Sequence, residues 1–250
     1  MMSFWVAFST LTLIPMPAAN PTPGDLKRSV VFYPLVGMAL GLVFYSIHQI
    51  SFSTDLQALV ILLLWVGLTG ALHLDGLGDC LDGWFGGHTP QERQRIMKAA
   101  DLGTYGVVGI ALTLLAKYVL LNHLIAQDHV EFFTTFHRAG LWLIAIPTAA
   151  RWAVSFACFI AKAPAGNHGL GSQVMGISTL LFAFATLLGI VGCAALKTEG
   201  LLVLGLALIV AWGVSRYSRS MIGGLTGDGM GMIIELTEVS ALLGACLIHG

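Results

Sequence analysis

His73-Leu74-Asp75-Gly76-Leu77-Gly78-Asp79-Cys80-Leu81-Asp82-Gly83 follows directly on an apolar run, Leu59 to Leu72, in a chain with few charges to spare. The three aspartates stand at i, i+4 and i+7. On a helix that spacing puts them on one face within two turns. Carboxylates crowded in this way repel and favour protonation, unless a divalent cation sits among them. Oxygen donors of this kind suit Mg²⁺, Mn²⁺ or Ca²⁺. The plainer alternative is a solvated polar helix end. It is the weaker reading, because carboxylates are costly at membrane depth and are functional there by default. Gly76, Gly78 and Gly83 let a backbone or a ligand come close.

The rest of the chain makes that depth meaningful. Hydrophobic residues are 56% of the sequence and charged residues 10%, against roughly a quarter charged in soluble domains. Apolar runs of spanning length recur, so the expected class is all-α: a polytopic transmembrane helical bundle of about six to seven spans. The net charge of −1 gives no sign of a nucleic-acid partner. The 4 cysteines are widely spaced, with no CxxC, which argues against a zinc or redox motif. Met1 to Pro17 has an apolar core but lacks the basic start of a signal peptide, and Pro15 and Pro17 cut it short. A short amino-terminal amphipathic or re-entrant helix is the better expectation.

In order, a proline-rich loop follows Ile14 and closes with Asp25, Lys27 and Arg28. Spans are expected at Val30–Ile50, Leu56–Leu72, Tyr105–Ala126, Ala139–Ile160, Val174–Leu196, Leu201–Val214 and Met232–Ile248. Pro34, Gly37 and Gly41 in the first predict a kink and close packing. His73 to Thr104 reads as the longest polar segment, with a helix starting after Thr89-Pro90. Gln127–Arg138, Lys162–Gln173 and Ser215–Gly231 read as polar or glycine-rich loops. Residues 1–250 are expected to form a single integral-membrane domain.

Lysine and arginine orient the bundle. Lys27 and Arg28, then Arg93, Arg95 and Lys98, then Lys162, then Arg216 and Arg219 fall in alternate loops, so all lie on one side. That side is expected to be cytoplasmic. It also carries the aspartate cluster, Asp101, Asn167–Gly171 and Thr226–Gly231.

Further candidates follow from that convergence. Asp101, with Gly103, Thr104 and Gly106, offers a fourth metal carboxylate or a plain N-cap. Backbone amides of Thr226–Gly231, Gly227 among them, can cradle phosphate, and Asp228 can bind metal or a sugar hydroxyl; the alternative is a simple turn. Arg151, inside a span, is read as a phosphate ligand or as the partner of Glu235 or Glu238. His73 adjoins the aspartates and is read as a site residue or a capping one.

The His73–Gly83 stretch resembles the signature of the cobalamin synthase family, the adenosylcobinamide-GDP ribazoletransferases. Asp101-Leu102-Gly103-Thr104-Tyr105-Gly106 is similar to that family's second motif, and Thr226-Gly227-Asp228 to its late one. Phe8 to Pro17 is similar to the family's opening, so the resemblance covers essentially the whole chain. Ala99-Ala100 departs from the more polar family pattern beside Asp101. The resemblance implies cobalamin biosynthesis in a bacterial cytoplasmic (inner) membrane, with the active site on the cytoplasmic side. Adenosylcobinamide-GDP reacts with α-ribazole or its 5′-phosphate; a ribazole hydroxyl attacks the phosphorus on the cobinamide side and GMP leaves. It further implies Mg²⁺ dependence, the lipid bilayer as partner, and leaves room for a homo-oligomer.

On that expectation Asp75, Asp79 and Asp82 act in catalysis and, with Asp101, hold metal. Asp82 is the expected acceptor of the hydroxyl proton. His73, Gly76, Gly83, Thr104, Arg151, Gly227 and Asp228 are the expected substrate contacts. Two other readings compete. CDP-alcohol phosphotransferases use a similar cluster, but this chain lacks their fuller pattern. An ion-coupled transporter also carries acids on glycine-broken helices, but near the midplane rather than at one face.

Overall fold

A computed structural model of the chain describes residues 1–17, 20–128, 138–166 and 169–249, and among them every regular element is helical. Helix α1 (Met2–Leu11) has 10 residues, about 15 Å of helix, half the thickness of a bilayer core. It does not cross. Ser3 Oγ donates to Asp25 Oδ1 at 3.3 Å, so the chain returns to the level at which it began. At the far end of the excursion the Leu13 N–H donates to the Leu68 carbonyl at 2.8 Å.

Helix α2 (Pro23–Ser29) opens with a full capping box between Thr22 and Asp25 and with proline in its first turn, an arrangement that satisfies two orphan N–H groups. One 3-10 turn joins it to α3 (Tyr33–His48). The first apolar element is therefore Pro23–His48. Lys27 and Arg28 are helical rather than the end of a loop. Gly37 and Gly41 have the close neighbour that their spacing predicted. A Cβ on Gly37 would strike the Pro147 carbonyl, and one on Gly41 the Ile144 backbone. Both neighbours belong to α8 (Arg138–Ile160), introduced here ahead of the helices between.

The apolar run before the aspartates is a broken span. Helix α4 (Thr54–Thr69) ends at Gly70, φ 61°, and α5 (Leu72–Gly86) begins after Ala71, φ 56°. Two successive left-handed residues cannot continue a right-handed helix, and the axes turn by 81°. Ala71 in that region costs about 1 kcal/mol. The Leu13–Leu68 hydrogen bond and the Leu13 side chain against Gly70 hold the break. His73–Gly83 is thus helix, as the aspartate spacing requires. Helix α6 (Pro90–Ile96) follows, N-capped by Thr89.

The remaining helices are α7 (Thr104–Asp128), α9 (Leu170–Gln173), α10 (Thr179–Cys193), α11 (Thr198–Ile222) and α12 (Gly227–His249). Among the described residues six elements are long and apolar enough to cross a membrane, and the α4–α5 pair makes a seventh if it is one span. That agrees with the expected count and with the additional short amino-terminal helix. Several bounds moved. The fifth span starts at Thr179, because Gly176, φ 68°, turns the chain before it. The sixth runs on to Ile222, absorbing Arg216 and Arg219 into its last turns. Gly227–Gly231 is the first turn of α12 rather than a loop.

Helix α8 is the most buried span, 78% of its apolar window, and α12 follows at 61%, so these two form the centre. They are tied by charge. Lys117 Nζ of α7 lies 2.7 Å from Glu235 and 2.5 Å from Glu238, and Arg151 Nη1 of α8 pairs with Glu238. Trp65 Nε1 of α4 donates to Glu238 Oε1 at 3.0 Å. Two acids and two bases cancel, which is what permits charge at this depth. Of the two readings of Arg151, the structure shows the ion pair. Lys117 lies three to four turns into α7, and Glu235 and Glu238 two to three turns into α12, so the knot sits roughly 12–20 Å of helix from both N-termini. Both N-termini therefore lie at one level, and α5 lies between them.

Candidate active site

Glycine decides how closely α5 meets its neighbours. A Cβ on Gly76 would lie 2.8 Å from the Asp228 carbonyl oxygen, and one on Gly231 would lie 3.0 Å from the His73 carbonyl. Only glycine at both positions lets α5 and α12 come this close. A Cβ on Gly83 would lie 2.9 Å from the Arg93 carbonyl, so α6 seats there in the same way. Helix α6 is itself anchored to the end of α11: Arg93 Nη1 donates to the Met221 carbonyl at 3.2 Å and Gln94 Nε2 to that of Ile222 at 3.0 Å.

The three aspartates share a face of α5, as their spacing predicts, but they do not share one job. Asp75 is exposed, Asp79 half-buried and Asp82 buried. From Asp75 to Asp82 is about 10 Å along the axis. Asp82 turns to α7. Its Oδ2 accepts the Gly103 N–H at 2.7 Å and its Oδ1 the Gly106 N–H at 2.9 Å. Those are orphan donors of a helix N-terminus, where a carboxylate is favoured by both hydrogen bond and dipole. The first and second motifs are joined in this way, through glycine amides and not through Asp101. Asp101 and Thr104 are exposed at the same helix start.

At the other end, Asp75 approaches Asp228. Asp75, Asp82 and Asp228 are all near enough to Asp79 to repel its carboxylate. Asp228 also feels Asp75, and Lys98 is the cation that attracts it. The sequence showed no link between Lys98 and this group. Among the described residues no three acidic, histidine or cysteine side chains converge tightly enough to hold a metal ion by themselves. Mg²⁺ seldom needs three, since it binds through one or two carboxylates plus waters and substrate phosphates. The hard oxygen donors Asp75, Asp79 and Asp228, with Lys98 acting on Asp228, fit an open site of that kind.

The N-terminus of α12 is capped from within the late motif. The Thr226 hydroxyl accepts the Gly229 N–H at 3.2 Å. Gly171 of α9 packs on the Gly227 backbone, where a Cβ would lie 2.6 Å from the Gly227 nitrogen. The late motif and the Lys162–Gln173 segment therefore meet beside α5. Asn167 and His168 lie outside the described residues.

A cleft of about 390 Å³ opens at this junction, with His73, Asp75, Gly171, Gly227 and Asp228 on its polar wall. His73 is 3% exposed, and neither ring nitrogen has a hydrogen-bond partner among the described residues. The rest of the lining comes from α1, α2, α3, α8 and α12 and is mainly apolar, with the hydroxyl residues Ser9, Thr10 and Tyr33 among it. Its residues carry no local signal in the sequence, because they are ordinary span residues brought together only by packing. Of the expected site residues, Gly76 and Gly83 serve helix packing, and Arg151 sits in the buried ion-pair knot. Asp82, Thr104 and Asp101 gather at the α7 end. Asp79 bridges the two ends.

Comparison with known proteins adds independent findings. The family model described as cobalamin-5-phosphate synthase matches residues 3–246. The chain is 35% identical over 254 residues to an adenosylcobinamide-GDP ribazoletransferase of Pseudomonas entomophila, covering 99% of this chain and 100% of the relative. It is 36% identical over 261 residues to a protein of the same description from Pseudomonas aeruginosa, covering 98% of each. A third, from Pseudomonas fluorescens, is 34% identical over 258 residues, covering 99% and 100%. No solved structure matches.

Proposed function

The chain belongs to the cobalamin-5-phosphate synthase family, and from that premise we propose that it joins adenosylcobinamide-GDP to α-ribazole or its 5′-phosphate, the step that completes the nucleotide loop of cobalamin. The relatives' description as adenosylcobinamide-GDP ribazoletransferases supports both substrates. A ribazole hydroxyl forms a new oxygen–phosphorus bond at the phosphorus on the cobinamide side. The bond to the bridging oxygen breaks, GMP leaves with the electron pair, and the hydroxyl proton is released.

The observation that carries this reading is the acidic face of α5 set against the N-terminus of α12. The substrate is already an activated diphosphate, so the protein's task is to position it and offset its charge. Asp75, Asp79 and Asp228 are the residues that would hold Mg²⁺ there. When bound, the cation would supply charge neutralisation to the diphosphate and the departing GMP. The first-turn amides of α12 present donors to a phosphate oxygen. Asp82 has both oxygens engaged by α7, so we assign it as a positioning residue rather than the acceptor of the hydroxyl proton. Asp101 faces solvent at the mouth of the same region.

Charge supports one side of the membrane. Arg93, Arg95, Lys98 and Lys162 lie at the same end as α5, which favours the cytoplasmic face of a bacterial inner membrane. That is also the side on which a nucleotide-activated substrate is available.

The deciding experiment incubates the purified full chain with adenosylcobinamide-GDP and α-ribazole, with and without Mg²⁺, and measures GMP. Release that requires both substrates and the metal is expected. Absence of GMP under all conditions would sink the assignment.

A further inference from the structure

The cleft beside α5 has a size and a polarity that select between the substrates. Its volume is about 390 Å³, at the small end of ligand sites, which run from roughly 300 to 1,000 Å³. A corrinoid macrocycle with its side chains is far too large for it. A single nucleoside fits. Two nucleosides take part in the reaction, the guanosine of the donor and the ribazole acceptor. The lining distinguishes them. Leu26, Val154, Val174, Met230 and Ile234 form the inner wall, and all five are buried. Ser9, Thr10 and Tyr33 border the cleft elsewhere, but a guanine edge, with its amino, keto and ring N–H groups, would leave those groups unpaired against this inner wall. A dimethylbenzimidazole base has no such edge.

We propose that this cleft, walled by α1, α5, α8, α9 and α12, is the acceptor site. In it the ribazole base lies against the apolar wall, and the ribose hydroxyls lie at the end lined by Asp75 and Asp228, with His73 at the border of the cleft. The proposal rests on the transferase reading above and deepens it. His73 is the second, independent sign of a ligand. The residue borders the cleft, its ring is almost wholly buried beside the Arg151–Glu238–Lys117 knot, and neither nitrogen has a hydrogen-bond partner among the described residues. A buried polar ring left unpaired is destabilising. A neutral imidazole offers one donor and one acceptor, which matches a pair of ribose hydroxyls. The arrangement also brings the acceptor hydroxyl out next to the acidic face that we assign to the diphosphate. It gives a purpose to α1, whose Ser9, Thr10 and Leu11 close one side of the cleft although the helix does not cross the membrane.

The test uses the detergent-purified full chain. α-Ribazole binding is titrated directly, and KM is measured for each substrate, in wild type, His73→Asn and Val154→Phe. Both substitutions should weaken α-ribazole binding and raise its KM at least tenfold, and leave KM for adenosylcobinamide-GDP within about twofold. That retained KM also reports that the variant is folded. Val174→Phe replaces Val154→Phe if the latter is not recovered as a monodisperse protein. Unchanged α-ribazole binding in the folded variants overturns the proposal. So does a loss that falls on adenosylcobinamide-GDP instead, which would give the cleft to guanosine. A wild-type protein that yields no GMP removes the transferase reading. The α-ribazole titration then decides the cleft by itself, and no binding to wild type counts against it.

Discussion

The carboxylate of Asp82 accepts the backbone N–H of Gly106 at 2.9 Å, tying the middle of α5 to the first turn of α7. The other oxygen takes the Gly103 N–H, and a Cβ on either glycine would strike the carboxylate. Asp82→Asn keeps one acceptor and loses the charge. It should cost about 1–2 kcal/mol, the value of a good N-cap. Thermal unfolding in detergent should show the loss, with a fall in kcat that follows from displaced helices. Full thermal stability with no activity would return Asp82 to direct chemistry.

Asp75 and Asp79 should behave differently. Asp75 is exposed and Asp79 half-buried, and each is repelled by neighbouring carboxylates. Asp75→Asn and Asp79→Asn remove that repulsion, so thermal stability should be unchanged or slightly raised. Mg²⁺-dependent GMP release should fall at least a hundredfold in each. Wild-type turnover in both variants would exclude these residues from the metal site.

The Gly76–Asp228 contact predicts sensitivity out of proportion to size. Gly76→Ala puts a methyl group 2.8 Å from a backbone oxygen, so α5 and α12 must move apart. A misplacement of about 1 Å can cost on the order of a hundredfold in rate, and a loss of 10- to 100-fold is expected. Gly67→Ala on α4 is the control, since a Cβ there meets nothing within 4 Å. It should leave turnover unchanged. Equal effects of the two substitutions would mean that α5–α12 contact does not set the rate.

Glu238 holds the centre of the bundle, with Lys117, Arg151 and Trp65 all on its carboxylate. Glu238→Gln leaves one buried positive charge uncompensated and should destabilise the fold by about 3–5 kcal/mol. Combining it with Lys117→Met removes the excess charge and should recover part of that loss in a thermal-unfolding series. A Glu238→Gln protein as stable as wild type, yet inactive, would point to a role in turnover instead.

Much of the bundle was legible in the sequence because membrane depth constrains it so strongly. Apolar runs gave the spans, and the glycines of α3 announced a close neighbour. The arginine and lysine pattern grouped the polar segments at one end. Span ends were less legible. Gly227–Gly231 reads as loop by composition, yet the Thr226 hydroxyl caps it and it starts a helix. Ser215–Ile222 is polar yet helical, because α6 caps the carbonyls of Met221 and Ile222.

The aspartate stretch shows the same division. Spacing by itself determined that Asp75, Asp79 and Asp82 share a helical face, since that follows from 3.6 residues per turn. Only the tertiary structure decided that they face different partners. The left-handed pair Gly70–Ala71 turns α5 by 81° across the ends of α12 and α7. One end of the face then meets Asp228 and the other the amides of Gly103 and Gly106. Which carboxylate stays free, and which becomes a cap, depends on residues distant in sequence, and no local pattern encodes that.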